Sequence, residues 1–156
     1  MKDCLINIST GLIINNVILN ITGNLLLDEI ICFSLIFIPL NIVHEFLHGS
    51  VYKIFGGKVK YGFKGICAYT QEISGIILHR NKFLLVLLAP VTVISIISVL
   101  IPGEIGGIVY FVNIAGSTGD ILMALYLCKF DNDSYIVDRK YGFDVTQKPS
   151  STISIK

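Results

Sequence analysis

Ile42-Val43-His44-Glu45-Phe46-Leu47-His48-Gly49 lies inside an apolar run that extends from Ile30 to about Phe55. If the run is helical, His44 and His48 are separated by roughly 40° and about 6 Å, and they share one face. Two neutral imidazoles so placed can hold one Zn²⁺. Glu45, roughly 100° further round, is free to take a proton from water on that metal. An ordinary apolar helix does not carry three ionisable groups in five residues. On insertion scales each costs roughly 2.5–3.5 kcal/mol at the centre of a membrane helix, so such groups point to function. The bland alternative is a histidine pair that bonds between helices with a Glu partner.

The composition supports a membrane setting. Of 156 residues, 53% are hydrophobic and 15% charged, against about 25% charged in an ordinary soluble domain. The mean hydropathy is +0.75. A net charge of +1 supplies no field for nucleic acid, so that class of partner is excluded. Cys4, Cys32, Cys67 and Cys128 form no C-x-x-C pair and read as reduced packing residues.

Residues 4–27 carry no charge and are long enough to cross a bilayer, with Asn16, Asn20 and Asn24 in a polar stripe that suits helix–helix contact. Asp28-Glu29 reads as a short break. A second span follows over about 30–55, kinked at Pro39 and ended by Gly56-Gly57. Val59-Lys60-Tyr61-Gly62-Phe63-Lys64 alternates apolar with polar or glycine. With Gly65 as a turn and a second strand over Ile66–Gln71, it predicts a β-hairpin. Spans over 83–101 and 105–128 are joined by Pro102-Gly103-Glu104, and the chain turns polar after Lys129.

The expected fold is therefore an all-α integral membrane protein of about four transmembrane helices, three of them forming the catalytic core. A short cytoplasmic β-hairpin lies between the second and third. Residues 1–130 form the membrane domain and 131–156 a polar tail. Lys58, Lys60, Lys64, Arg80 and Lys82 crowd the loop between spans two and three, whereas the Pro102 connection has no basic residue. The positive-inside rule then puts the hairpin, both termini and the active-site side in the cytoplasm of a multi-pass cell-membrane protein.

A zinc site needs a third protein ligand and an open position. Val51 and Ile54 stand where a metzincin would have its glycine and third histidine, and His79 lies in the basic loop. Asp120 is the single charged residue of the fourth span. His48 and Asp120 each lie seven or eight residues before the cytoplasmic end of their spans, at matching depths of about 10–12 Å. Asp120 is accordingly the expected third ligand. Gly116, on its face, allows close helix approach. Asn113, near that face, is a candidate for orienting a substrate peptide or for bonding to another helix.

The apolar H-E-x-x-H helix, the Gly56-Gly57-Lys58-Val59-Lys60 hairpin start, Leu88-Ala89-Pro90 and Asn113-Ile-Ala-Gly-Ser-Thr-Gly-Asp120 together resemble the DUF3267 family, described as "putative zincin peptidase". That family is similar to the site-2 protease (M50) intramembrane metalloproteases, which carry a third-ligand Asp in a later Asn-x-x-Pro…Asp-Gly pattern. Asp120 matches that Asp, but Gly116 replaces the proline and Ile121 follows the Asp. The resemblance implies an intramembrane zinc metalloendopeptidase with one Zn²⁺ per chain held by His44, His48 and Asp120, and Glu45 as general base. Asn113, Tyr61 and Phe63 are its candidate substrate contacts, and a membrane protein or peptide within the lipid bilayer is its substrate. A bundle this small is compatible with a homodimer. The competing reading is a non-proteolytic membrane metal-binding or regulatory protein that keeps the same ligands. A transporter-like bundle has little support without an internal repeat.

Overall fold

The computed structural model describes residues 22, 24–102, 104–139 and 142–146. Helix α1 spans Leu25–Ile54 and contains Pro39. Its start is chemically specified. The Asn24 side chain accepts the Leu26 N–H at 3.1 Å. Asp28, in the first turn, accepts the Thr22 N–H at 2.9 Å and the Thr22 hydroxyl at 2.8 Å. A carboxylate at this end also complements the helix dipole. The helix stops where Gly56 takes φ +88°, a left-handed conformation that costs glycine nothing.

Strands β1 (Val59–Lys64) and β2 (Cys67–Glu72) follow as an antiparallel hairpin, in register from Val59↔Glu72 to Lys64↔Cys67. Strand β3 (Ile77–His79) leads directly into helix α2 (Arg80–Leu100), which carries Pro90. Helices α3 (Glu104–Gly116) and α4 (Thr118–Leu127) are bent by 49° relative to each other, with Ser117 between them. Strands β4 (Tyr135–Arg139) and β5 (Gly142–Thr146) complete a three-stranded antiparallel sheet of order β3-β4-β5.

Helix α2 is the centre of the bundle and packs against α1, α3 and α4. The buried core gathers at its N-terminal end, beside the second sheet. Tyr52, Phe83, Val86, Leu127 and Ile136 meet there. Elsewhere the helices present apolar side chains outward, among them Ile30, Phe33, Leu85, Ile96, Val99 and Phe111. A bundle that exposes so much apolar surface suits a hydrocarbon solvent, and its helices satisfy their own backbone groups there. By length and composition, Leu26–Ile54 and Arg80–Leu100 can each cross a membrane, and the bent α3–α4 pair makes a third span if counted as one.

The expectation of an all-α chain with about four spans is overturned: among the described residues, five strands in two sheets accompany four helices, and only two helices, or three if the bent pair counts as one, are long and apolar enough to span a membrane. Two physical reasons account for it. The second sheet is non-local: three-residue β3 is too short to show a period, and it forms because Ile77–His79 pairs with Tyr135–Val137. Strand β4, Tyr-Ile-Val-Asp-Arg, shows no apolar–polar alternation either, and its fully buried Ile136 sits within a polar stretch. The acidic pair Asp28-Glu29 is not a break either, since it falls inside the first turns of α1. Of the expected first span over 4–27, residues 4–21 and 23 lie outside the described residues, and Leu25–Leu27 belong to α1.

Candidate metal centre

Helical spacing brings the two histidines of α1 together, and both are buried. Their rings meet edge to face with centroids 4.8 Å apart, and the two Nε2 atoms are separated by 3.1 Å. Asp120 arrives from the first turn of α4, directly after the bend at Ser117. Its Oδ2 lies 3.0 Å from His44 Nε2 and 3.4 Å from His48 Nε2. The three residues form a group able to hold a metal ion.

The donor chemistry fits such an ion. Tetrahedral zinc with bonds of about 2.0–2.1 Å sets its ligand atoms about 3.3–3.4 Å apart. The three observed separations, 3.0, 3.1 and 3.4 Å, lie close to the edges of that tetrahedron. His48 Nδ1 donates to the Val86 carbonyl at 2.8 Å, and a carbonyl cannot donate back. Neutral His48 therefore carries its hydrogen on Nδ1 and turns the Nε2 lone pair toward His44 and Asp120. Lone pairs this close repel unless a cation or a proton lies among them.

Two cavities flank the cluster. One, of about 180 Å³, is lined by His44, Asn113, Gly116, Gly119 and Asp120, with Glu45 at its wall. The other, of about 220 Å³, is lined by His48, Tyr52, Thr70, Asp138 and Arg139, and again by Glu45. The Glu45 carboxylate accepts no hydrogen bond among the described residues, whereas its backbone carbonyl accepts the Thr70 hydroxyl at 2.6 Å. With Asn41 Oδ1 accepting the Ala68 N–H at 2.6 Å, that bond fastens β2 along the motif face of α1.

The other expected substrate contacts are placed differently. Asn113 is buried in the first cavity wall, and its Nδ2 donates to the Val91 carbonyl and to Ser95 Oγ, each at 3.1 Å. The first of these partners can only accept, so the amide orientation is settled and Oδ1 is left without a partner. Tyr61 lies against α1: a Cβ on Gly49 would overlap its ring, Phe46 stacks on it, and Lys53 Nζ sits 5.1 Å from the ring centroid. Phe63 is exposed on β1. Neither aromatic lines either flanking cavity.

Thr70, Asn41 and Asp138 are site neighbours that the sequence reading missed. Asn41 carried a signal, as a polar side chain three residues before His44 in an apolar helix. Asp138 carried none once β4 was overlooked. Its carboxylate accepts the Tyr52 hydroxyl at 2.7 Å, which ties the second sheet to α1 one turn beyond His48. Burial pushes the Asp138 carboxyl above the usual carboxylate range, and this outweighs the opposing hydrogen bond from Tyr52.

No curated protein and no solved structure matches the chain. The family model of DUF3267, described as "Putative zincin peptidase", does match, over residues 36–135. Those 100 positions cover the part of α1 that carries the motif, the hairpin, α2 and Asp120, and a zincin peptidase family is one built on zinc-dependent hydrolysis. The chain belongs to the DUF3267 family.

Proposed function

We propose that the protein is an intramembrane zinc endopeptidase that hydrolyses peptide bonds of membrane-embedded or membrane-proximal substrates. The observation that carries this reading is the place of Glu45, which borders both cavities beside the His44–His48–Asp120 cluster. Zinc held by those three residues supplies Lewis acidity toward the scissile carbonyl and toward water. Glu45 removes a proton from the attacking water and delivers it to the leaving amine, ending the cycle as the carboxylate that began it.

The remaining groups bind and orient. Asn113 Oδ1, buried and unpartnered, accepts a backbone N–H of the substrate. A helical substrate has its own amides paired, so it must unwind before attack, and strand pairing along the hairpin offers replacement hydrogen bonds. Exposed Phe63 adds an apolar contact on that hairpin, whereas Tyr61 is occupied in holding the hairpin to α1. Basic residues cluster at the sheet end of the bundle, which supports a cytoplasmic position for the hairpin and the active-site side.

The test is cleavage of candidate membrane substrates by wild type and Glu45→Gln, with zinc content measured for both. The variant is expected to keep one zinc per chain and to lose about 10²–10⁴-fold in rate. Equal cleavage by both proteins overturns the assignment. Zinc-loaded wild type that cleaves no membrane peptide returns the chain to the non-proteolytic metal-binding reading.

A further inference from the structure

Helix α2 contains a proline in its interior, Pro90, whose ring is fully buried. A proline has no N–H, so the carbonyl four residues earlier in a helix loses its usual donor. Here that carbonyl belongs to Val86. It is the same carbonyl that receives His48 Nδ1–H, in a buried bond of 2.8 Å. A carbonyl without a partner in an apolar interior is costly, and a ring N–H in the same place is equally in need of an acceptor. Each satisfies the other.

We propose that Pro90 is a positioning residue for the metal centre: by withholding an N–H from the Val86 carbonyl it dedicates that oxygen to His48 Nδ1–H, which fixes the tautomer and ring orientation of the ligand. The inference rests on the reading of His48 as a zinc ligand. An amide at position 90 would compete for the Val86 oxygen. The His48 ring would then be free to turn or to move its hydrogen to Nε2, where no lone pair remains for a metal. The other helix-interior proline gives the contrast. Pro39 frees the carbonyl of Leu35, which is on the exposed side of α1 and receives no hydrogen bond from outside that helix among the described residues.

Zinc affinity and imidazole ¹⁵N shifts of the metal-free full-length protein test this in wild type, Pro90→Ala and Pro39→Ala. Wild type and Pro39→Ala are expected to hold His48 as the Nδ1–H tautomer and to bind zinc equally. Pro90→Ala is expected to show mixed tautomers at His48 and zinc binding weakened by about 10–100-fold, the usual effect of losing a ligand's outer partner. Pro90→Ser also restores the N–H and gives a second reading should the alanine variant fail to fold. A Pro90 variant that keeps both the wild-type tautomer and the wild-type affinity overturns the proposal. Wild type that binds no zinc overturns the metal reading instead, and the tautomer comparison still decides whether Pro90 controls the His48 ring.

Discussion

Asp120 is the member of the cluster that comes from furthest away, 76 positions after His44. It is also the only charged donor among the three, so its removal takes away both a ligand atom and the compensation of the metal's charge. Loss of an outer-shell partner alone costs about 10–100-fold in metal affinity, and Asp120→Ala is expected to exceed that range. Tight stoichiometric zinc in the purified variant would remove Asp120 from the site. The grouping itself was legible in the sequence for two separate reasons. His44 and His48 meet through helical spacing alone, which is a local rule. Asp120 could be placed because a membrane helix turns sequence position into depth at 1.5 Å per residue. The Val86 carbonyl was not legible, because its role depends on which face of α2 turns toward α1. The orphaned Oδ1 of Asn113 was hidden for a similar reason, since it depends on Val91 and Ser95 taking the amide nitrogen.

At the scale of elements, the hairpin next to the site is held at its open end by one side chain. Glu72, buried at the end of β2, accepts the N–H groups of Lys58, Ser74 and Gly75 at 3.3, 2.7 and 2.7 Å, and the Ser74 hydroxyl as well. Burial raises this carboxyl, but the four donors outweigh it and hold it below the usual glutamate range. The folded-state value lies below the unfolded one, so the stabilisation is present above the ordinary glutamate pKa of about 4.3 and is lost as pH falls through the lowered value. Asp138 acts with the opposite sign. Its raised carboxyl contributes most at low pH and fades as pH rises through that raised value. Comparing wild type with Glu72→Gln isolates the first effect. Amide exchange across Lys58–Ile73 should be protected at neutral pH and should lose protection on acidification below about 4. The Gln variant should lose about 1 kcal/mol at neutral pH and show a flatter acid response; an unchanged acid response would remove Glu72 from that role. The hairpin was readable from the alternation in Val59–Lys64, whereas the second sheet was not. Its pairing joins Ile77–His79 to a segment that lies beyond three further helices, and no local period announces a partner that remote.

For the whole molecule, the arrangement of charge and sheet turns the proposed orientation into an accessibility question. The second sheet, the start of α2 and the open end of the hairpin gather at one end of the bundle, with Lys58, Lys82 and Arg139 among them, and from there the hairpin runs back along α1 as far as Asn41. The link between α2 and α3 at Pro102 lies at the other end of α2 and carries no basic residue. Under the positive-inside rule the first end faces the cytoplasm. A native probe reports on it, since Cys128 after α4 is free and exposed. In intact cells a membrane-impermeant thiol reagent should leave Cys128 unlabelled and should modify a Pro102→Cys variant. After permeabilisation Cys128 should react as well. The reverse pattern would turn the molecule over, and the metal centre would then open toward the outer face. The membrane-depth argument for Asp120 survives either outcome, because it compares two positions within one bundle. The identity of the substrate does not, because the proposed access of an unwound peptide to Glu45 is from the compartment that the sheet end of the bundle faces.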